Sequence, residues 1–191
     1  MPASLLALRS RLQRLAAGRR LAAVQLLVCD VDGVLTDGGL HYDASGGVVK
    51  RFNVRDGLAI RMLQRAGIEV ALLSGGRSGA IEHRARHLQI QHCRTGVGDK
   101  LLGLRELQTA VGIGAAHTAF IGDDLNDLAV RPATGLLVVP ADADRGLRRQ
   151  ADWVLRSSGG HGAVRELAEA LLRGRGALRS LLSEGWREGN G

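Results

Sequence analysis

Four short clusters hold most of the side chains suited to phosphate chemistry. They are Asp30-Val31-Asp32-Gly33, Ser74-Gly75-Gly76-Arg77, Gly98-Asp99-Lys100 and Gly122-Asp123-Asp124, with Asp127 just beyond the last. Carboxylates gathered at one place repel one another unless a cation neutralises them. Asp30 and Asp123, with carbonyl oxygens and water, suit a hard six-coordinate ion such as Mg²⁺. A carboxylate can also attack phosphorus and form an aspartyl-phosphate. An acid two residues along, as Asp32 is from Asp30, can protonate the leaving oxygen and then activate water. Lys100 offers a compact charge to phosphate oxygens and to the nucleophile's carboxylate. The Ser74 hydroxyl and the Gly75 backbone N–H are donors for a transferring phosphoryl group. Any one cluster alone is weak, because an Asp after a strand often only caps a helix. Four in one chain are the signal.

The elements that must position them alternate along the chain. Leu26 to Cys29 reads as a buried strand, Ile68 to Leu73 as a second and Ile90 to Cys93 as a weak third. Thr118–Ile121, Leu136–Val139 and Trp153–Leu155 complete six. Helices are expected from Asp56, as cap, to about Ala66; over 79–88; from Asp99 to about Val111; from Asp124 to Val130; and over 162–173. Leu40–Asp43 and Val48–Phe52 flank a Ser45-Gly46-Gly47 turn and read as a hairpin. This alternation predicts an α/β fold, a parallel sheet with helices on both faces. Sites in such sheets form just beyond the carboxyl ends of the strands, where the four clusters fall.

The chain is strongly basic, with 26 Lys plus Arg against 19 Asp plus Glu, a formal net charge of +7. Such a balance suggests nucleic acid as a partner. Its distribution argues otherwise: residues 1–25 hold five arginines and no acid, residues 26–140 hold twelve cations and twelve acids, and residues 141–191 hold nine cations and seven acids. The excess is mainly N-terminal, and aromatic residues for base stacking are only 3%. No apolar run approaches the roughly 20 residues that span a bilayer. The first 25 residues lack the apolar stretch of a secretory signal and share only an Arg-, Ala- and Leu-rich composition with transit peptides. They read as a basic surface helix with Leu5, Leu8, Leu12 and Leu15 on one face. Cys29 and Cys93 make no disulfide framework, and a cytoplasmic location is expected, with no nucleic-acid or membrane partner. Residues 26–173 read as one domain and 174–191 as a flexible tail, in which Trp186 is a candidate for docking on a partner. His83 and His87 lie one helical turn apart and read as an exposed face rather than a metal site.

The stretch Asp30-Val31-Asp32-Gly33-Val34-Leu35-Thr36-Asp37-Gly38 resembles the nucleophile motif of haloacid dehalogenase (HAD) superfamily phosphatases. Ser74, Lys100 and Gly122-Asp123-Asp124-Leu125-Asn126-Asp127 resemble the other three motifs in order and spacing. Phe52-Asn53-Val54-Arg55-Asp56-Gly57 and Gly159-Gly160-His161-Gly162-Ala163-Val164-Arg165-Glu166 are similar to the 3-deoxy-D-manno-octulosonate (KDO) 8-phosphate phosphatases within it. The resemblance covers about residues 21–173. It implies a HAD-like Rossmannoid sheet without a large cap domain, a hairpin flap at about residues 38–52, Mg²⁺, and a homotetramer whose neighbouring subunits cover each site. It implies Asp30 as nucleophile, Asp32 as general acid/base, and Asp30, the Asp32 carbonyl and Asp123 as metal ligands supported by Asp127. Ser74, Gly75 and Lys100 would bind phosphate; Asp32, Arg55, Arg77 and His161 would face the sugar acid, and Asp124 would cap a helix. The related nonulosonate (sialic-acid type) 9-phosphate phosphatases share fold and motifs. Two departures stand out: His161 where the family commonly has Arg, and Ser74 where it usually has Thr.

Overall fold

A computed structural model describes residues 3–77 and 79–184. Six parallel strands form one sheet: β1 (Leu26–Cys29), β4 (Glu69–Leu73), β5 (His92–Arg94), β6 (Thr118–Ile121), β7 (Leu136–Val139) and β8 (Trp153–Val154). Their order is β5-β4-β1-β6-β7-β8, which puts β1 at the centre between β4 and β6. A separate antiparallel pair, β2 (His41–Tyr42) and β3 (Val48–Val49), is the hairpin expected between β1 and the next helix.

The sheet is buried on both faces because its strands are apolar on both. Successive strand side chains point to opposite sides. Leu27 and Cys29 join one core with Val70, Leu72, Ile121 and Leu136, under α2 (Gly18–Ala23), α3 (Val54–Arg65), α4 (Gly79–His87) and α7 (Ala163–Gly174). Leu26 and Val28 join a second core with Ala71, Leu73, Phe120 and Leu137, under α5 (Lys100–Val111), α6 (Arg145–Gln150) and a 3₁₀ stretch over Leu125–Ala133. The continuous apolar runs of β1, β6 and β7 are therefore what a doubly covered parallel strand requires.

Several boundaries differ from the sequence reading. Asn53, not Asp56, caps α3, its side chain accepting from Arg55 N at 2.8 Å. Asp56 is buried and turned toward a distant helix start, accepting from Gly162 N at 3.2 Å and Arg165 N at 2.8 Å. A glycine-rich stretch precedes α7 and offers no cap of its own, so Asp56 supplies one across 109 residues. The third strand is shifted to His92–Arg94, and the helix after Asp124 is 3₁₀ and runs on to Ala133, with Pro132 inside it. Helix α6 was not anticipated; RGLRRQ has too few apolar residues to show a period. The tail is ordered further than expected. Helix α8 (Ala177–Glu184) follows α7 with Leu178 buried, while Trp186 lies outside the described residues.

At the N-terminus, α1 (Ala3–Ala16) packs on the edge strand β8. Trp153 Nε1 donates to Ser10 Oγ at 2.8 Å, and Val154 N donates to Gln13 Oε1 at 3.1 Å. A side-chain amide thus pairs with an edge N–H that no strand reaches, which blunts the open sheet edge. The docking face is the polar one. Leu8, Leu12 and Leu15 point outward, 54%, 58% and 64% exposed.

Candidate active site

Asp30 follows β1, Ser74 follows β4, Lys100 opens α5 and Asp123 follows β6 by two residues. The sheet order places these four chain segments side by side at one sheet edge. The tips meet around a cavity of about 320 Å³ whose walls include Asp30, Asp32, Ser74, Gly75, Lys100 and Asp123. Gly38, Asn126 and Asp124 border it as well.

Lys100 is its electrostatic centre. The buried ammonium lies 3.0 Å from Asp30 Oδ2 and 2.5 Å from Asp127 Oδ1. Burial works against the charge on Lys100, but the two carboxylates outweigh it and raise its pKa. Asp127 is fully committed: its other oxygen accepts from Asp123 N at 2.9 Å and Asp124 N at 3.3 Å. It fixes Lys100 and the loop after β6 at once. Asp30 is pushed up to about 6 by burial and by Asp127, against the pull of Lys100. Asp123 is pushed up to about 7 by burial and by the charges of Asp30 and Asp127. These carboxylates hold more negative charge than Lys100 balances.

That surplus is the test of a metal site. Asp30, Asp123 and Asp127 each offer an oxygen within 4.8 Å of the others'. Asp127 already accepts three hydrogen bonds, so Asp30 and Asp123 are the carboxylates with capacity left for a cation. All donors are hard oxygens, and the set fits Mg²⁺. Gly33 is what lets this happen. Its φ is +77°, and a Cβ there would lie 1.9 Å from Asp123 Oδ2.

Asp32 is half-exposed and its Oδ1 accepts from Lys50 Nζ, reaching in from the flap. The Lys50 side chain is only 2% exposed. Sequence reading placed Lys50 on the flap but gave it no role. The available signal was its rarity, one of two lysines among 26 cations. Ser74 Oγ accepts from Gly76 N at 3.1 Å, which aims the hydroxyl across the loop. Asp124 behaves as a cap, accepting from Leu125 N at 2.7 Å.

Arg55, Arg77 and His161 do not line the cavity. Arg55 is exposed on the first turn of α3, and Arg77 is exposed beside Gly96. His161 is exposed at the base of the flap, with Nδ1 2.7 Å from Gly159 O and Nε2 3.4 Å from Arg51, which itself pairs with Asp37. The Gly159-Gly160 pair ahead of it packs on the loop after β1: Gly160 N donates to Val34 O at 2.9 Å, and a Cβ on Gly159 would lie 1.8 Å from Gly33 O.

Residues 94–167 match the haloacid dehalogenase-like hydrolase family. Over 154 residues the chain is 43% identical to the KDO 8-phosphate phosphatase of Yersinia pestis, covering 81% of this chain and 82% of that one. The chain belongs to the KDO 8-phosphate phosphatase family. Solved structures agree. The Moraxella catarrhalis KDO 8-phosphate phosphatase, in complex with magnesium, phosphate and KDO, superposes with a TM-score of 0.86 at 33% identity, covering 88% of this chain and 97% of that one. The cobalt-bound Haemophilus influenzae enzyme gives 0.80 at 42% identity, covering 82% and 92%. The sheet here carries a short hairpin, and no large cap domain is present among the described residues.

Proposed function

We propose that this protein is a Mg²⁺-dependent phosphatase that hydrolyses KDO 8-phosphate to KDO and inorganic phosphate, in the synthesis of a lipopolysaccharide precursor. The observation that carries the reading is the Lys100 bridge between Asp30 and Asp127 beside an under-neutralised Asp123, in a chain 43% identical to such an enzyme. Asp30, Asp123 and the Asp32 carbonyl would hold Mg²⁺, which when bound screens the carboxylates from the phosphate's negative charge.

The remaining chemistry belongs to the chain. An Asp30 carboxylate oxygen attacks phosphorus, and the bond from phosphorus to the sugar oxygen breaks. Asp32 gives that oxygen its proton, so the sugar leaves as an alcohol. Asp32 then takes a proton from water as the water attacks the aspartyl-phosphate; phosphate departs and Asp30 is regenerated. Lys100, Ser74 Oγ and Gly75 N–H hold the phosphoryl oxygens through both steps. Asp127 acts through Lys100, fixing its position. Arg55, Arg77 and His161 contact the sugar acid only if the flap or a neighbouring subunit moves over the cavity mouth.

A homotetramer supplies such a neighbour. Leu40, Tyr42 and Val49 on the flap are 49%, 68% and 58% exposed, more apolar surface than a two-stranded hairpin ordinarily leaves in water. We place the protein in the cytoplasm; no helix among the described residues is long and apolar enough to cross a membrane. Purified protein with Mg²⁺ should release phosphate from KDO 8-phosphate far faster than from hexose phosphates or a nonulosonate 9-phosphate. Equal rates on all of them would remove the assignment. Asp30→Asn should abolish release with fold and native mass intact.

A further inference from the structure

The outward leucines of α1 are unusual for a helix that packs on the protein. Leu5, Leu8, Leu12 and Leu15 recur at spacings of three and four, an arc of about 80° at 100° per residue. Such a stripe ordinarily faces a core. Here the helix is held by the opposite side, through Ser10, Gln13 and a fully buried Ala17. Three of the leucines are more than half exposed.

Their surroundings have one sign of charge. Arg9 and Arg11 flank the stripe and are exposed, Arg19 is exposed on α2, and Arg14 is half-buried toward the docked side of α1. None of these four makes an ion pair among the described residues, and residues 1–25 contain no carboxylate. Leu8 borders a groove of about 380 Å³ between α1 and α7, which adds Arg156 and Arg173 to the same side. The two acids in that groove are already taken, Glu166 by Arg156 and Glu169 by Arg165 and Arg173.

We propose that α1 is a docking surface for an anionic phospholipid bilayer. Leu8, Leu12 and Leu15 enter the interface, and the flanking arginines meet the headgroups. The helix lies along the surface of the domain, so its leucines form a ridge that a flat bilayer can accept. Charge decides against a second copy of the same stripe, because pairing two of them would face arginine with arginine and no acid between. The expectation of no membrane partner rested on the lack of a spanning segment, which a peripheral helix does not need. This inference is independent of the phosphatase assignment.

The test is partitioning of the full chain onto vesicles of phosphatidylglycerol and phosphatidylcholine, by flotation. Binding is expected on mixed anionic vesicles at low salt, weakening steeply as salt rises. Each arginine is worth about five-fold in binding, so Arg9→Gln with Arg11→Gln should lower it roughly 25-fold. Leu8→Ser, Leu12→Ser and Leu15→Ser together should lower it by at least about ten-fold. Helix content and phosphate release should be unchanged in both variants. Absence of binding at low salt, equal binding to pure phosphatidylcholine, or full binding by the leucine variant would each overturn the proposal. A lower native mass in the leucine variant would assign the stripe to a second copy and overturn it equally.

Discussion

Replacing Lys100 with methionine keeps the volume of the side chain and deletes its charge. The ammonium lies 3.0 Å from Asp30 and 2.5 Å from Asp127, with all three side chains at most 7% exposed. Removing one partner from a buried ion cluster costs about 3–5 kcal/mol, because the remaining charges stay buried without compensation. For a chain of this size each kcal/mol moves Tm by about 2–4 °C, so the melting point should fall by about 6–20 °C at pH 8 in chelator. The deficit should shrink at pH 5. Asp30 sits at about 6 and Asp123 at about 7, above the unfolded carboxylate value. A carboxylate raised on folding contributes stability below its unfolded pKa and loses it as pH rises through the folded one. Without Lys100 the folded values rise further, so the loss between pH 5 and 8 should be steeper in the variant than in the parent. Mg²⁺ should recover part of the loss at pH 8, by binding the carboxylates left bare. Thermal melts at both pH values, with and without Mg²⁺, measure all of this. The double variant with Asp127→Asn should lose clearly less than the two single losses added. A Lys100→Met protein within about 1 kcal/mol of the parent at pH 8 would refute the view that this lysine holds the cluster together.

Gly33→Ala should fold but lose turnover by at least about 100-fold and respond poorly to added Mg²⁺, since its Cβ would displace the Asp123 carboxylate; kcat against Mg²⁺ concentration reports it. Lys50→Met should lower kcat by about ten-fold or more and reshape the pH–rate profile while leaving Tm nearly unchanged, because Lys50 holds Asp32 from a flap outside the cores. Ser10→Ala should cost about 1–3 kcal/mol by leaving the buried Trp153 N–H unpaired, with catalysis intact; denaturant melts give the value.

The strand ends were legible because parallel strands buried on both faces must be apolar throughout, and that apolarity stops where the acids begin. Asp30, Ser74, Lys100 and Asp123 could be placed from this alone. Contacts between elements distant in sequence were not legible. Asp56 carries every local mark of a cap, yet Asn53 sits at the right backbone position and leaves Asp56 to serve α7. The Lys50 contact depends on how far the hairpin folds back, which no spacing encodes. The leucines of α1 gave a surface helix and its apolar face but not the side that docks, since two hydrogen bonds to β8 decide that. Arg55, Arg77 and His161 lie outside the cavity because motif resemblance gives chain position and not direction.

The Gly159-Gly160 brace has a consequence for synthesis of the chain. The loop bearing Asp30 leaves the ribosome early, but the backbone it rests against, where Gly160 N meets Val34 O, comes 126 residues later. At about 5–20 residues per second this is a wait of roughly 6–25 s. Strand β8 and its partner helix α1 are separated by a similar delay, since Trp153 must arrive before Ser10 has anything to hold. A nascent chain therefore carries Asp30 and Asp32 for most of its synthesis, and Lys100 for about a third of it, without a braced site. Fragments ending before residue 159 should be phosphatases in sequence only.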